Sequence, residues 1–224
     1  LQSPETVCII ETLFYGELHP VILATWNGRT YCLDILKDTS ESTYIQSLKA
    51  LNSAAVSSVY IDPSDSLSAA ISSALPLAVP MVTDECIRRY ARASMEKAID
   101  VKGKRLSLRE KKDRLLLHGK HLSDTELVEQ ITRALSARPE LKAVYDCYQS
   151  LLDRLEVDWT YEDLAEWSAG ISPEIHEFAD LQDVIEIYET EIRSFATNIR
   201  RTSEEYNSSA KAVCDAIEAM PHCI

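Results

Sequence analysis

Val59-Tyr60-Ile61-Asp62 is a short apolar run that closes on a carboxylate. The residues around it make it one strand of an alternating chain. Ser40 to Leu51 sets Tyr44, Ile45, Leu48 and Leu51 on one helical face before the strand pattern of Val56 to Ile61, and Ser66 to Ala74 reads as the next helix. Ala78 to Val82 follows as a strand and Glu85 to Ile99 as a helix. Ahead of all these, Val7-Cys8-Ile9-Ile10 reads as a buried strand. Pro20 to Thr25 and Thr30 to Leu36 then flank Asn27-Gly28, the dipeptide of a tight hairpin.

Three strands in a meander, then α-β-α-β-α, is the order of an RNase H-like fold, an α/β class with a mixed sheet covered by helices. Beyond Ser107 every periodic segment is helical. Helix starts are expected at Ser107-x-x-Glu110, at Ser123-x-x-Glu126 and at Ser172-Pro173-Glu174. Phe178, Leu181, Ile185, Tyr188, Ile192, Phe195 and Ile199 form a heptad seam on one long helix, and Leu141, Val144, Tyr148, Leu151 and Leu155 keep the same rhythm earlier. The two helices are expected to pair antiparallel through the segment Trp159 to Ser172, as intramolecular core rather than as a homodimer seam. The domain organisation expected is a core over 1–100, a helical insertion over 101–201 and a closing helix of the core over 202–224.

With 224 residues, 46% of them hydrophobic, the chain can bury a sizeable core. No window approaches the roughly 20 apolar residues of a membrane span, and no signal pattern opens the chain, so a cytoplasmic protein without membrane contact is expected. Cys8, Cys32, Cys86, Cys147, Cys214 and Cys223 are scattered singly, which suggests neither a zinc site nor a disulfide framework. The chain begins without methionine and stops at Pro221-His222-Cys223-Ile224, as an excised part of a longer protein would.

The formal charge of −13 disfavours sequence-independent affinity for nucleic acid. That average conceals a basic stretch from Arg88 to Lys120, with twelve Lys or Arg against four acids. Arg88, Arg89, Arg92, Lys102, Lys104, Arg105, Arg109, Lys111 and Lys112 are the candidate nucleic-acid contacts. A solvated helix face is the plainer use of such a run.

Two-metal phosphoryl transfer needs carboxylates on neighbouring elements, to hold Mg²⁺ or Mn²⁺ against a phosphodiester. Asp62 at a strand end suits that role, with Asp65 as a substitute, although Asp62-Pro63-Ser64-Asp65-Ser66 also reads as a turn and helix cap. Glu205 stands at the start of a late helix, where Thr202-Ser203-Glu204-Glu205 is equally a capping box. Glu11 on the first strand is the third candidate. No Gly-rich phosphate loop and no nucleophile elbow is present.

With these residues in place, nearly the whole chain resembles the DDE catalytic domain of bacterial insertion-sequence transposases, in the family with a helical insertion between its second and third acids. That family carries Ile-Asp-Glu on its first strand, an aspartate closing its fourth, a Pro-x-Ala-x-x-x-x-Asp-Arg-Phe-His segment and a Glu-Gly-x-Asn helix. Val59 to Asp62 matches the second element, Leu75 to Asp84 resembles the third, and Glu205-Tyr206-Asn207 looks like the last. Ile10 stands where the first aspartate is expected and Glu11 at the acid after it; Cys86-Ile87 replaces Phe-His, and Tyr206 replaces Gly.

The resemblance implies an enzyme that cleaves transposon ends and joins them to target DNA. It would use Mg²⁺ or Mn²⁺ held by Glu11, Asp62 and Glu205. The apolar residue at the first ligand position implies impaired catalysis. The alternative is an inactive, repurposed domain acting as a nucleic-acid or protein interaction module.

Overall fold

The computed structural model describes residues 4, 6–14, 17–26, 29–99, 125–156 and 158–198. These divide into two compact units, the first from residues 1–83 with 190–224 and the second from 84–189.

The first unit is built on a five-stranded mixed sheet of order β3-β2-β1-β4-β5. Its strands are β1 (Thr6–Phe14), β2 (Glu17–Trp26), β3 (Arg29–Ile35), β4 (Ser58–Ile61) and β5 (Val79–Met81). The three N-terminal strands run antiparallel in sequence, whereas β4 joins β1 in parallel and β5 joins β4 in parallel. The expected meander and the two later strands are therefore present, with β1 and β2 longer than their apolar runs. Asn27 and Gly28 lie outside the described residues.

Buried parallel strands read as continuous apolar runs, which is why Ser58-Val59-Tyr60-Ile61 is buried throughout. At the opposite edge β3 carries Tyr31, Leu33 and Ile35 exposed, beside a register shift at Ile22/Leu23. Pro20 has no N–H to give, and it stands opposite Glu11, whose own N–H points away from β2 toward Asp62.

Helix α1 (Glu41–Leu48) starts at Ser40, whose hydroxyl accepts from the Thr43 N–H. Ser40 is itself held by Asp38, and those hydroxyl and amide donors lower the exposed Asp38 carboxyl to about 2. Tyr44 and Leu48 are its buried face, set against α2 (Asp65–Ala74), which buries Leu67, Ala70, Ile71 and Ala74 at helical spacing. Helix α8 (Glu189–Asn198) contributes Ile192 and Phe195 to the core of this unit, the Phe195 ring meeting Tyr60 edge-on with centroids 6.2 Å apart. The Val82 N–H donates to the Glu191 carbonyl at 3.3 Å.

The second unit is all helical among its described residues: α3 (Asp84–Ile99), α4 (Thr125–Ala137), α5 (Pro139–Leu155), α6 (Tyr161–Ala169) and α7 (Ala179–Ile187), with a single 3-10 turn at His176–Phe178. Helices α5 and α7 each pack chiefly on α3, not on one another as an antiparallel pair. Trp167 of α6 gives the reason. Its indole N–H donates to Ser150 Oγ at 3.0 Å on α5, while its ring meets Phe178 at 90° with centroids 5.6 Å apart. A side chain of that size holds the two helices apart, and burying it contributes about 2–3 kcal/mol.

Two other expectations are corrected. The Ser172-Pro173-Glu174 segment does not open a helix: the Ile175 N–H closes onto the Ser172 carbonyl at 2.9 Å, a turn that postpones α7 to Ala179. The long seam helix breaks at Tyr188, whose φ of −101° and ψ of 30° leave the α-helical region between α7 and α8. The seam side chains from Phe178 to Phe195 are nonetheless buried within the chain, and Ile199 lies outside the described residues. The helix starts expected at Ser107 and Ser123 also lie outside them.

Candidate acidic site at the carboxyl ends of β1 and β4

From β1 the chain leaves toward β2 on one side, and from β4 toward β5 on the other. The carboxyl ends of these two parallel neighbours form a switch point, the place where open α/β sheets take their ligands. Two sequence-predicted acids lie there, joined through the main chain of one of them. Asp62 follows the last residue of β4 and is buried, and its Oδ2 accepts the Glu11 N–H at 3.1 Å. Since β4 has ended at Ile61, this carboxylate supplies the acceptor that one more rung of the parallel ladder would have supplied. The turn-and-cap reading of Asp62 is thus replaced by a bond across the strands; α2 begins after Ser64, which makes no side-chain cap.

Glu11 is half-buried, and its Oε1 accepts the Tyr44 hydroxyl at 3.1 Å. By strand alternation Glu11 shares the face of Val7 and Ile9, the face that α1 covers through Tyr44. Ile10 takes the other. The pairing of Ile9 with Ile61, extended by one residue, sets Ile10 beside Asp62.

In the sequence Tyr44 is marked only as one apolar position of a helix face. The signal that it was more is its hydroxyl, which a fully buried tyrosine must pair. Burial, then the charge of Glu11 and its hydrogen bond, then the charges of Asp62 and Asp38 hold that hydroxyl well above the ordinary tyrosine range. Both acids therefore act on one oxygen.

Carboxylate oxygens are donors that Mg²⁺ and Mn²⁺ take, so Glu11 and Asp62 suit such an ion in kind. They fall short in number. Among the described residues no three His, Cys, Asp or Glu side chains form a group able to hold a metal ion. Glu205 lies outside the described residues, and Asp65 is exposed at the first turn of α2.

Three of the candidate nucleic-acid contacts are on α3. Arg88 donates through Nη2 to the Leu155 carbonyl at 2.9 Å and lies 3.7 Å from Asp84, so it caps the end of α5. Arg89 donates to Cys86 Sγ at 3.6 Å, and Arg92 is exposed beside Glu96 at 3.7 Å. Lys102, Lys104, Arg105, Arg109, Lys111 and Lys112 lie outside the described residues. A separate surface hollow of about 430 Å³ between β3 and α1 includes Asp34, Lys37 and Ser47 but neither Glu11 nor Asp62. No described helix is long and apolar enough to cross a membrane.

No curated protein matches the chain. A family model described as transposase, of the DDE class and ISL3 type, matches residues 16–214. That span contains Asp62 and Glu205 and begins after Glu11. Over most of its length, then, the chain belongs to the DDE transposase family of insertion sequences.

Proposed function

We propose that this is the RNase H-like domain of a DDE transposase, in which the acid of the first strand has been lost from the metal site and DNA cleavage and strand transfer are impaired. The sheet order β3-β2-β1-β4-β5 supports the RNase H-like assignment. A helical unit enclosed between two parts of the sheet unit supports the insertion. In this reading Asp62 and Glu205 are the acids left to hold Mg²⁺ or Mn²⁺. When bound, such ions activate the attacking oxygen and stabilise the leaving one. Asp62 contributes a carboxylate fixed by the backbone of β1, and Ile10 fills the adjoining position with a side chain that has no ligand to give.

The observation that carries the reading is the register of β1 on β4, with Ile9 opposite Ile61, which extended by one residue would set residue 10 beside Asp62. Its test is Ile10→Asp. An added carboxylate at that position should tighten Mn²⁺ binding by about ten- to a hundredfold, since affinity for such ions follows the number of charged ligands. It should also raise the cleavage of transposon-end DNA. Unchanged Mn²⁺ affinity in both Ile10→Asp and Asp62→Asn would sink the reading.

A second reading, an inactive domain that serves as an interaction module, is favoured by one observation. Edge strand β3 presents Tyr31, Leu33 and Ile35 to solvent, which is the kind of strand to which other chains add.

A further inference from the structure

We infer that β3 is a self-pairing edge: two copies of this chain join through antiparallel alignment of their β3 strands, centred on Tyr31. This rests on the second reading above, in which the strand receives another chain, and asks nothing of the acidic site.

β3 is the outer strand of the described sheet, and its Tyr31 and Leu33 are 45% and 36% exposed. Its one cation, Arg29, and its one anion, Asp34, stand toward opposite ends. Strand alternation alone would turn these two residues to opposite faces. The register shift undoes that. Trp26 pairs with Arg29, Ala24 with Tyr31 and Ile22 with Asp34, so Leu33 is the extra residue of a bulge and the other three share one face. Asp34 is held there by the Ser47 hydroxyl at 2.6 Å and by the Ile35 N–H at 2.9 Å. Arg29 is exposed and has no hydrogen-bonded or ionic partner among the described residues. Charge then selects the occupant. A chain of formal charge −13 repels its own kind over most of its surface, but β3 carries one charge of each sign and is neutral. Antiparallel alignment about Tyr31 sets Arg29 of each copy across from the bulged pair Leu33 and Asp34 of the other, so opposite charges meet twice. Parallel alignment in register would set like against like. Tyr31 meets its own copy on the twofold axis, which covers an exposed ring.

Sedimentation equilibrium of the full chain should show a dimer that dissociates on dilution, as small interfaces do. Arg29→Asp sets acids against Asp34 at both ends and should weaken the dimer about tenfold to a hundredfold; Asp34→Arg does the same with cations. Mixed in equal amounts, the two variants should form a dimer that neither forms alone, since each brings the charge that the other lacks. Leu33→Lys leaves every bond of Asp34 in place and should also weaken the dimer. A dimer that Arg29→Asp and Leu33→Lys leave unchanged overturns the inference, as does a mixture that stays monomeric while both variants melt cooperatively. A parent that is monomeric at every concentration overturns it too, and leaves the strand to a different chain, as the second reading allows. Hydrogen exchange of the β3 amides separates the remaining case. If exchange slows with chain concentration although the charge variants still dimerise, the strand receives another chain in another alignment: the self-pairing about Tyr31 falls and the second reading stands.

Discussion

A buried tyrosine responds to alkali in a way that an exposed one does not. Tyr44, Tyr60, Tyr145 and Tyr148 are all held above the ordinary range, in each case first by burial. The charged form is the one that folding disfavours, so between the unfolded value near 10.0 and the higher folded value the native state keeps a proton that the unfolded state has released. The stability due to these groups is complete below that range and declines as pH rises through it. Absorbance titration of the phenolates should therefore find a late-ionising class in the native chain that merges with the rest in denaturant. Tyr44→Phe should remove part of that class and soften the alkaline loss of stability; a single native class at ordinary pH would contradict the burial argument. At this scale the sequence was half legible. Asp62 could be found because an acid that ends an apolar run is conspicuous. The partnership of Glu11 with Tyr44 spans 33 positions and follows no local pattern.

Elements were more legible than their neighbours. Apolar runs, the turn dipeptide between β2 and β3 and helical spacing located the five described strands and the described helices of the first hundred residues, because each of these signals is local in sequence. What covers a buried face is a different matter. The rhythm from Leu141 to Leu155 correctly marks a buried stripe, but a stripe does not specify whether α3 or α7 lies on it, and Trp167 decides that. Nor does anything mark the break at Tyr188, where neither Gly nor Pro interrupts and each flanking segment buries its own apolar positions. The serine of Ser172-Pro173-Glu174 has the pattern of a helix cap, yet the same hydroxyl serves a turn, accepting the Glu174 N–H at 3.4 Å. If Trp167 is the spacer of the second unit, Trp167→Phe should cost about 1–3 kcal/mol, because Ser150 and the Cys147 carbonyl lose its N–H while the ring contact with Phe178 is retained in part. Urea unfolding would measure it, and a loss no greater than that of an exposed Ile187→Ala would mean that the indole bonds carry no weight.

At the scale of the molecule, charge limits where DNA can be held. A chain with a formal charge of −13 repels a polyanion over most of its surface, so contact is expected where Lys and Arg are dense, between Arg88 and Lys120. The arginines of that stretch on α3 have other partners: Arg88 ends α5, and Arg92 lies beside Glu96. The weight of binding should accordingly fall on Lys102, Lys104, Arg105, Arg109, Lys111 and Lys112. Replacing these with Gln should abolish most retention of transposon-end DNA and flatten the dependence of log affinity on log salt by about 0.9 for each phosphate contact removed. Arg92→Gln should change that slope little, and Arg88→Gln should lower stability instead, since it takes a cation from a helix end. A mobility-shift series across salt concentrations decides between them. If Arg88→Gln and Arg92→Gln weaken DNA binding as much as the combined replacement does, α3 is the DNA-contacting helix and the basic stretch beyond it is a solvated face.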